Sequence, residues 1–490
     1  MRSALSLLGL ATTFATLSSA HTVFTNLFIN DENQGDGTCI RMPKDGSTCT
    51  APILGRSNPD LACGRDGGSA VAFTCGAPAG AKLTFEFRMY ADLSQRGAID
   101  PSHKGPMAVY VKPVSDMAST PAAGDGWFKI WDEGYDSATG KFATEKLIAN
   151  NGLLSVNLPP GLPTGYYLVR SEIITLQNVT AGPTVDAQFY AGCAQLYVQG
   201  SSSGSLNIPA ESKVSIPGHV SPGDAGLHFN IYDQPLKLPY AIPGPKVFFP
   251  GGGSSGGNVK AVASAPSGGV PSSCLLKNAN WCGFEVSDYN SETGCWAAVE
   301  ACYKQGDVCY KSAPPTGAKG CDKWDRQKCD GLRDSCSAGN FNGPPSKGVK
   351  LGDIIINDIP AGSLPAAVNQ GVTPSVVDSG TTDGSSGNEV KEVQPEPAKQ
   401  EPAAPAPSPE SAPAPAPAPE YSAPAPEYST PSPEQASKPA PAPVPVVVAA
   451  PAAPAAPCGG TTIVKRSGSQ TVVRTIVVRH RRRRTTRQAA

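Results

Sequence analysis

Position 21 is a histidine, and the twenty residues before it read as a removable secretory signal. Arg2 gives a short positive start, Ala4 to Leu17 is apolar but too short to cross a bilayer, and Ser18 and Ala20 are the small residues of a cleavage site. Cleavage after Ala20 makes His21 residue one. Its α-amino nitrogen and its ring nitrogen can then chelate one metal together. The amine has an unperturbed pKa of about 8, so a metal displaces its proton at ordinary pH. A second imidazole would complete three nitrogens in a T-shaped plane, an arrangement that suits Cu(II). The chain has 5 histidines: His21, His103, His219, His228 and His480. His103 lies in PSHKGPMAVYV, where a loop just before a strand can present it. His219 sits in the Pro/Gly loop IPGHVSPG, His228 precedes a strand-like run, and His480 is in the tail. Most histidines bind no metal. His103 alone is therefore a weak candidate, and the mature-terminal His21 strengthens it.

These residues need a scaffold. Short β-rich runs alternate with Gly, Pro, Asn and Asp turns from residue 21 to about 250: KLTFEFRMY, MAVYVKPV, LLSVNLP, GYYLVRSEIITL, DAQFYAGCAQLYVQG and LHFNIYD. This spacing predicts an all-β fold, an antiparallel β-sandwich of single-domain size. The continuous run GYYLVRSEIITL predicts a strand buried on both faces for part of its length. A Gly/Ser linker covers 251–272, and a Cys-rich module covers 273–340. Within the module, Cys295, Cys302 and Cys309 are spaced by seven, as are Cys329 and Cys336, so each set shares one helical face. Short helices joined by disulfides are expected. Zinc is disfavoured because paired C-x-x-C spacings are absent and the 14 cysteines suit an oxidising compartment.

The remaining chain reads as a spacer over 341–457 and a basic tail over 458–490. The stretch from 341 to about 394 is polar and expected to be disordered. Pro395 to Pro457 is Pro/Ala low complexity with two PEYS copies, at Tyr421 and Tyr428, and predicts an extended spacer in which Ser and Thr can carry O-glycans. From Cys458 onward there are many Lys and Arg and no Asp or Glu, within a formal net charge of −1 overall. Such a tail could bind acidic polymers, but a charge run specifies no partner, and a solvated, proteolysed end is favoured. Cys458 is either a free thiol or an intermolecular link. No later stretch is long and apolar enough for a transmembrane helix, and the terminal RHRRRRTTRQAA argues against a lipid-anchor signal.

Taken in order, HTVFTNLFIN, AIDPSHKGPMAVYV, GDGWFKIWDEGYD, EKLIANNG, GYYLVRSEIITL, DAQFYAGCAQLYV, FNIYDQ and YAIPGPKVF resemble the fungal lytic polysaccharide monooxygenases of auxiliary activity family 9, once called glycoside hydrolase family 61. The resemblance covers essentially all of 21–250. It implies an immunoglobulin-like sandwich with a flat face bearing one copper. It implies that His21, through its amine and Nδ1, and His103 are the nitrogen ligands, and that Tyr190 is the axial fourth ligand. Gln188 matches the amide that hydrogen-bonds near that tyrosine. Cys63 and Cys193 match a disulfide tying a loop to the strand of Tyr190. Tyr240 matches an aromatic that can stack on a sugar, and ordinary loop packing is an equal reading of it. The Cys-rich stretch resembles an accessory module found behind some members. Its Trp281, Trp296 and Trp324 could bind sugars, but core packing is favoured for a small domain.

One position departs from the family. Where it usually has A-L-H after E-I-I, this chain has T-L-Q, with Gln177 replacing a histidine thought to act on activated oxygen. Glutamine donates a hydrogen bond but is no acid near neutral pH. Extra residues (NVTAGPTVD) follow, and Asn178-Val179-Thr180 is a glycosylation sequon close to the expected active face. The resemblance implies a secreted, monomeric enzyme, free or held at the cell wall, that needs an external electron donor. It implies oxidative cleavage of cellulose or a related β-1,4-glucan at C1 or C4, with O2 or H2O2 as co-substrate, and no nucleic-acid partner. The alternative is an extracellular copper-binding or cell-wall protein without oxygenase activity. A glycoside hydrolase would need two carboxylates flanking a bond, and no such pair stands out.

Overall fold

The computed structural model describes residues 21–179, 187–200, 206–251, 265, 267–352, 354 and 359–368. The signal segment, Thr180 of the sequon, most of the spacer, Cys458, His480 and the basic tail lie outside the described residues.

In chain order the first strands are β1 (Val23–Ile29), β2 (Glu32–Asn33), β3 (Cys75–Pro78), β4 (Lys82–Arg88), β5 (Met107–Val114), β6 (Gly124–Glu133), the short pair β7 (Tyr135–Asp136) and β8 (Lys141–Phe142), β9 (Leu153–Asn157), β10 (Gly165–Thr175), β11 (Gln188–Gln199) and β12 (Lys213–Ile216). They form two sheets, β2-β1-β4-β9 and β12-β6-β5-β10-β11-β3. All pairings are antiparallel except β3 with β11. The expected β-sandwich is observed.

Period-two alternation divides the large sheet between two cores. Tyr167, Val169 and Ile173 of β10 face the small sheet and join Phe24, Leu27, Phe85 and Val109. Leu168 and Ile174 point the other way and join Tyr110, Trp127 and Phe189 beneath long loops. Strand β10 is therefore buried on both faces from Tyr167 onward, as its sequence predicts. The run LHFNIYD is not a strand. It forms a 3-10 turn at Ala225–Leu227 and an irregular loop, because Asn230 Oδ1 takes the backbone N–H of Tyr232 into a local turn and Ile231 fills the second core.

The Cys-rich module contains β13 (Leu276–Asn278), β14 (Trp281–Gly283), α2 (Glu292–Ser312), α3 (Lys319–Lys323), a π-helical turn (Trp324–Cys329) and α4 (Asp330–Ser337); α1 (Ala143–Ala149) belongs to the sandwich. Helix α2 presents Cys295, Cys302 and Cys309 on one buried stripe. They pair with Cys336, Cys329 and Cys321, an antiparallel ladder that follows from the seven-residue spacing. Cys274–Cys282 closes the hairpin, and no described cysteine is free. Trp281 and Trp324 meet edge-on in the module core, while Trp296 is 42% exposed. The hairpin sits against the sandwich loop at 34–40: Asn280 Nδ2 donates to Gly37 O, Cys39 N–H donates to Asn280 Oδ1, and Lys277 Nζ donates to Gln34 O.

Disorder from residue 341 onward is corrected for 341–352. Leu351 N–H donates to Leu275 O, and Lys350 Nζ binds the carbonyls of Ser272 and Cys274. Further on, Leu364 is buried with Phe28 and Leu153, and Val368 N–H donates to Ser155 O on the edge strand β9. Scattered apolar residues in this polar stretch suffice because preformed surfaces receive them.

Candidate functional site

Three rings converge where β1 begins. The His21 and His103 centroids are 6.1 Å apart and nearly perpendicular, and each lies 6.3 Å from Tyr190. His21 lies two residues before β1 and is aligned by Thr22, whose hydroxyl donates to Ala98 O at 2.7 Å.

His103 rides a loop fixed to the end of β10. Leu176 N–H donates to Lys104 O, and Gly105 N–H donates to Thr144 Oγ1. A Cβ at Gly105 would stand 2.0 Å from Ile174 O, so only glycine lets the loop lie this close. The result is an imidazole 5% exposed. Its Nδ1 contacts Ser102 Oγ at 3.2 Å, and its Nε2 is buried without a partner. Burial, and then the neighbouring His21, lower the His103 pKa to about 4, so the ring is neutral near pH 7 and its free nitrogen keeps a lone pair. Burial and then Arg65 lower His21 as well.

Gln188 and Tyr190, two residues apart on β11, point the same way. The Tyr190 hydroxyl donates to Gln188 Oε1 at 3.0 Å, and Gln177 Nε2 donates to the same oxygen at 2.7 Å. Gln177 therefore stands beside Gln188 and Tyr190, with its own Oε1 buried and unpartnered. Burial pushes the Tyr190 hydroxyl well above its ordinary pKa, which keeps it protonated. The Cys63–Cys193 disulfide is formed and ties the 59–65 loop to β11. Asn178 follows Gln177 in a half-buried turn.

Tyr240 is half-buried. It packs edge-on against Phe142 and Phe229 at 5.3 and 5.1 Å, and its hydroxyl donates to Gly226 O. These contacts fit the loop-packing reading of Tyr240. The exposed aromatic beside the site is Tyr232, 57% exposed, whose hydroxyl donates to Gln177 O at 3.2 Å. It lies in the FNIYDQ run, where the strand-like pattern concealed it. His219 is buried against Glu172, and His228 Nε2 contacts Pro222 O, so neither joins the ring cluster. Arg65 was also missed; only its place two residues after Cys63 hinted at it.

Among the described residues no group of three or more His, Cys, Asp or Glu converges on one point. A metal here therefore needs a donor outside that set. The chain supplies a phenol at Tyr190 and, after cleavage, the amine of His21. The unpartnered His103 Nε2 is the observation that fits a metal.

Residues 21–240 match Auxiliary Activity family 9 (formerly GH61). AA9 family lytic polysaccharide monooxygenase C of Aspergillus tamarii is 50% identical over 356 residues, covering 71% of this chain and 92% of that protein. AA9 family lytic polysaccharide monooxygenase A of Emericella nidulans is 48% identical over 346 residues, 70% of this chain and 59% of its own length. AA9 family lytic polysaccharide monooxygenase H of Botryotinia fuckeliana is 46% identical over 337 residues, 67% and 76% of the two chains. Alignments of this length run past the sandwich into the Cys-rich module. The chain belongs to Auxiliary Activity family 9, the lytic polysaccharide monooxygenases, and is an oxidoreductase of that family.

Proposed function

We propose that the mature chain, secreted and cleaved after Ala20, would hold one copper through the His21 amine and Nδ1 and through His103, with Tyr190 beside them, and cleaves β-1,4-glucans oxidatively at C1 or C4. The observation that carries this reading is the buried, partnerless Nε2 of a neutral His103 facing two further rings. Copper, when bound, supplies the one-electron chemistry with O2 or H2O2, and an external reductant primes it; no side chain can oxidise a sugar C–H bond.

The protein's own groups position and exclude. Tyr190, protonated and hydrogen-bonded to Gln188, closes one side with an apolar ring rather than a phenolate. Gln188 Oε1 takes two donors, which fixes the orientation of its amide. Gln177 Oε1 is a buried, unpartnered acceptor beside Gln188. It moves no proton itself, so any proton must come from solvent or substrate. Tyr232 takes the role first given to Tyr240, a ring on which a sugar can stack. The substrate is cellulose or a hemicellulose with the same linkage.

The test uses mature protein beginning at His21 with one equivalent of copper, incubated with swollen cellulose, ascorbate and low peroxide. Aldonic acid or 4-keto oligosaccharides in the mass spectrum are expected. Normal copper uptake with no oxidised product from several glucans and hemicelluloses would overturn the oxygenase reading. It would favour extracellular copper handling, to which the amide at Gln177 points.

A further inference from the structure

Arg65 lies beside the ring cluster, and among the described residues no carboxylate is paired with its charge. Its backbone is fixed by Gly64, which adopts φ +84° and passes so close to β11 that a Cβ would stand 2.5 Å from Ala191 O, one residue after Tyr190. The Cys63–Cys193 disulfide fastens the same turn to the same strand. The guanidinium then reaches across, donating from Nη1 to Ala51 O at 2.6 Å and from Nη2 to Pro52 O at 2.8 Å. Those carbonyls precede Ile53, which exchanges two backbone hydrogen bonds with Phe189, the residue before Tyr190. Arg65 is therefore anchored to the strand on both sides of Tyr190. It shares a narrow cleft with Thr22, Phe24, Tyr190 and Ala191.

Both of its side-chain bonds end on neutral carbonyls. Among the described residues it has no carboxylate partner, whereas the buried Arg88 has two and the buried Arg170 has one. Only Arg is suited to this position: its planar fork fits two carbonyls at once and its charge persists at any working pH.

We propose that Arg65 is a positioning residue that sets the reduction potential of the bound copper, its fixed positive charge favouring Cu(I) over Cu(II). This rests on the reading that His21 and His103 hold copper. A cation at fixed distance in a partly dry cleft destabilises the doubly charged ion more than the singly charged one, and water screens the difference only in part. The site is thereby biased toward the form an external donor must produce.

The experiment is a redox titration of the mature full chain with one copper, run on wild type, Arg65→Gln, Arg65→Met and Arg65→Lys. Lys237→Gln, a change at a side chain 84% exposed, controls for net charge. Both neutral variants are expected to weaken Cu(I) binding about tenfold relative to Cu(II), a fall of about 59 mV for one electron. Arg65→Lys is expected to stay near wild type while melting earlier, because it keeps the charge and loses the fork. A purely structural role predicts instead that the potential follows the melting temperature. If the neutral variants do not fold, Leu54→Glu leaves the Arg65 bonds intact and adds an anion to the exposed loop they hold. It must lower the potential at low ionic strength and lose that effect at about 0.5 M salt. An unmoved potential in folded, copper-loaded neutral variants, or in Leu54→Glu at low salt, overturns the Arg65 proposal alone. A wild-type chain that takes up no copper overturns the metal assignment and this proposal with it.

Discussion

Two buried histidines occupy the same sandwich and have opposite environments. His103 is 5% exposed and His219 is 4% exposed, and each leaves one ring nitrogen unpartnered. His219 Nε2 lies 2.9 Å from Glu172, which also binds Arg170; Tyr110 stands edge-on beside it, with Arg170 and Lys129 over the Tyr110 ring. That cluster pins the loops over the large sheet: Arg170 Nε donates to Leu61 O and Lys129 Nζ to Pro243 O. A metal ion would meet two cations there. His103 has no carboxylate on its ring, is neutral near pH 7, and faces two other rings. Burial alone does not distinguish a ligand from a structural histidine; the charges around the ring do.

The contrast is broken or sharpened most strongly by exchanging losses. His103→Ala should lower copper affinity more than about 100-fold, beyond what supporting groups around a metal cost. His219→Ala should leave it unchanged in calorimetric titration; equal losses would erase the distinction. Glu172→Gln should destabilise the fold by about 3–5 kcal/mol in denaturant unfolding, since it strands a buried Arg170 and disturbs His219. Burial opposes the Glu172 charge, but Arg170 and His219 prevail and hold its pKa far below the usual range. Copper affinity of the folded fraction should not change in that variant.

Gln177→His comes next. The amide already lies on Gln188, so an imidazole there could supply the acid that glutamine lacks. Oxidised product should form at least about tenfold faster, within the usual range for an added general acid. No gain would mean that the free Gln177 Oε1 already suffices.

What could be read in advance follows a physical division. The strands, the two-faced burial of β10 and the disulfide ladder of α2 all come from local periodicity, and the sequence carries them directly. His21, His103, Gln188 and Tyr190 came from the terminus and from family motifs, and the fold brings their side chains together. The difference in exposure between Tyr240 and Tyr232 was not legible, because exposure in an irregular loop depends on tertiary packing: Phe142 and Phe229 pack on one ring and leave the other exposed. Arg65 was invisible for the same reason, since its carbonyl partners lie 13 and 14 residues away in another turn. Residues 341–352 carry no periodicity of their own, yet they bind a surface formed by Leu275 and Cys274.

The smallest effect concerns another unpartnered polar group, Asp325 Oδ1, in the π-helical turn of the module. Burial, then the neighbouring Asp330, Asp307 and Asp322, raise its pKa from 3.8 to about 6. The folded chain therefore holds this proton more tightly than the unfolded chain does. Its contribution to stability is fully present below about pH 4 and is lost as the pH rises through about 6. Nothing here resembles the His103 arrangement: the neighbours share the sign of the group, and Gly306 of α2 leaves Asp325 Oδ1 only the space of a hydrogen, since a Cβ would stand 2.2 Å away. Asp325→Asn removes the charge and keeps the shape. It should raise the melting temperature at pH 7.5 by a few degrees and leave it unchanged at pH 3.5. If the gain persisted at pH 3.5, packing rather than charge would be responsible. If the gain were absent at pH 7.5, Asp325 would have a cationic or metal partner after all, and the vacant oxygen would join His103 Nε2 as a mark of a ligand.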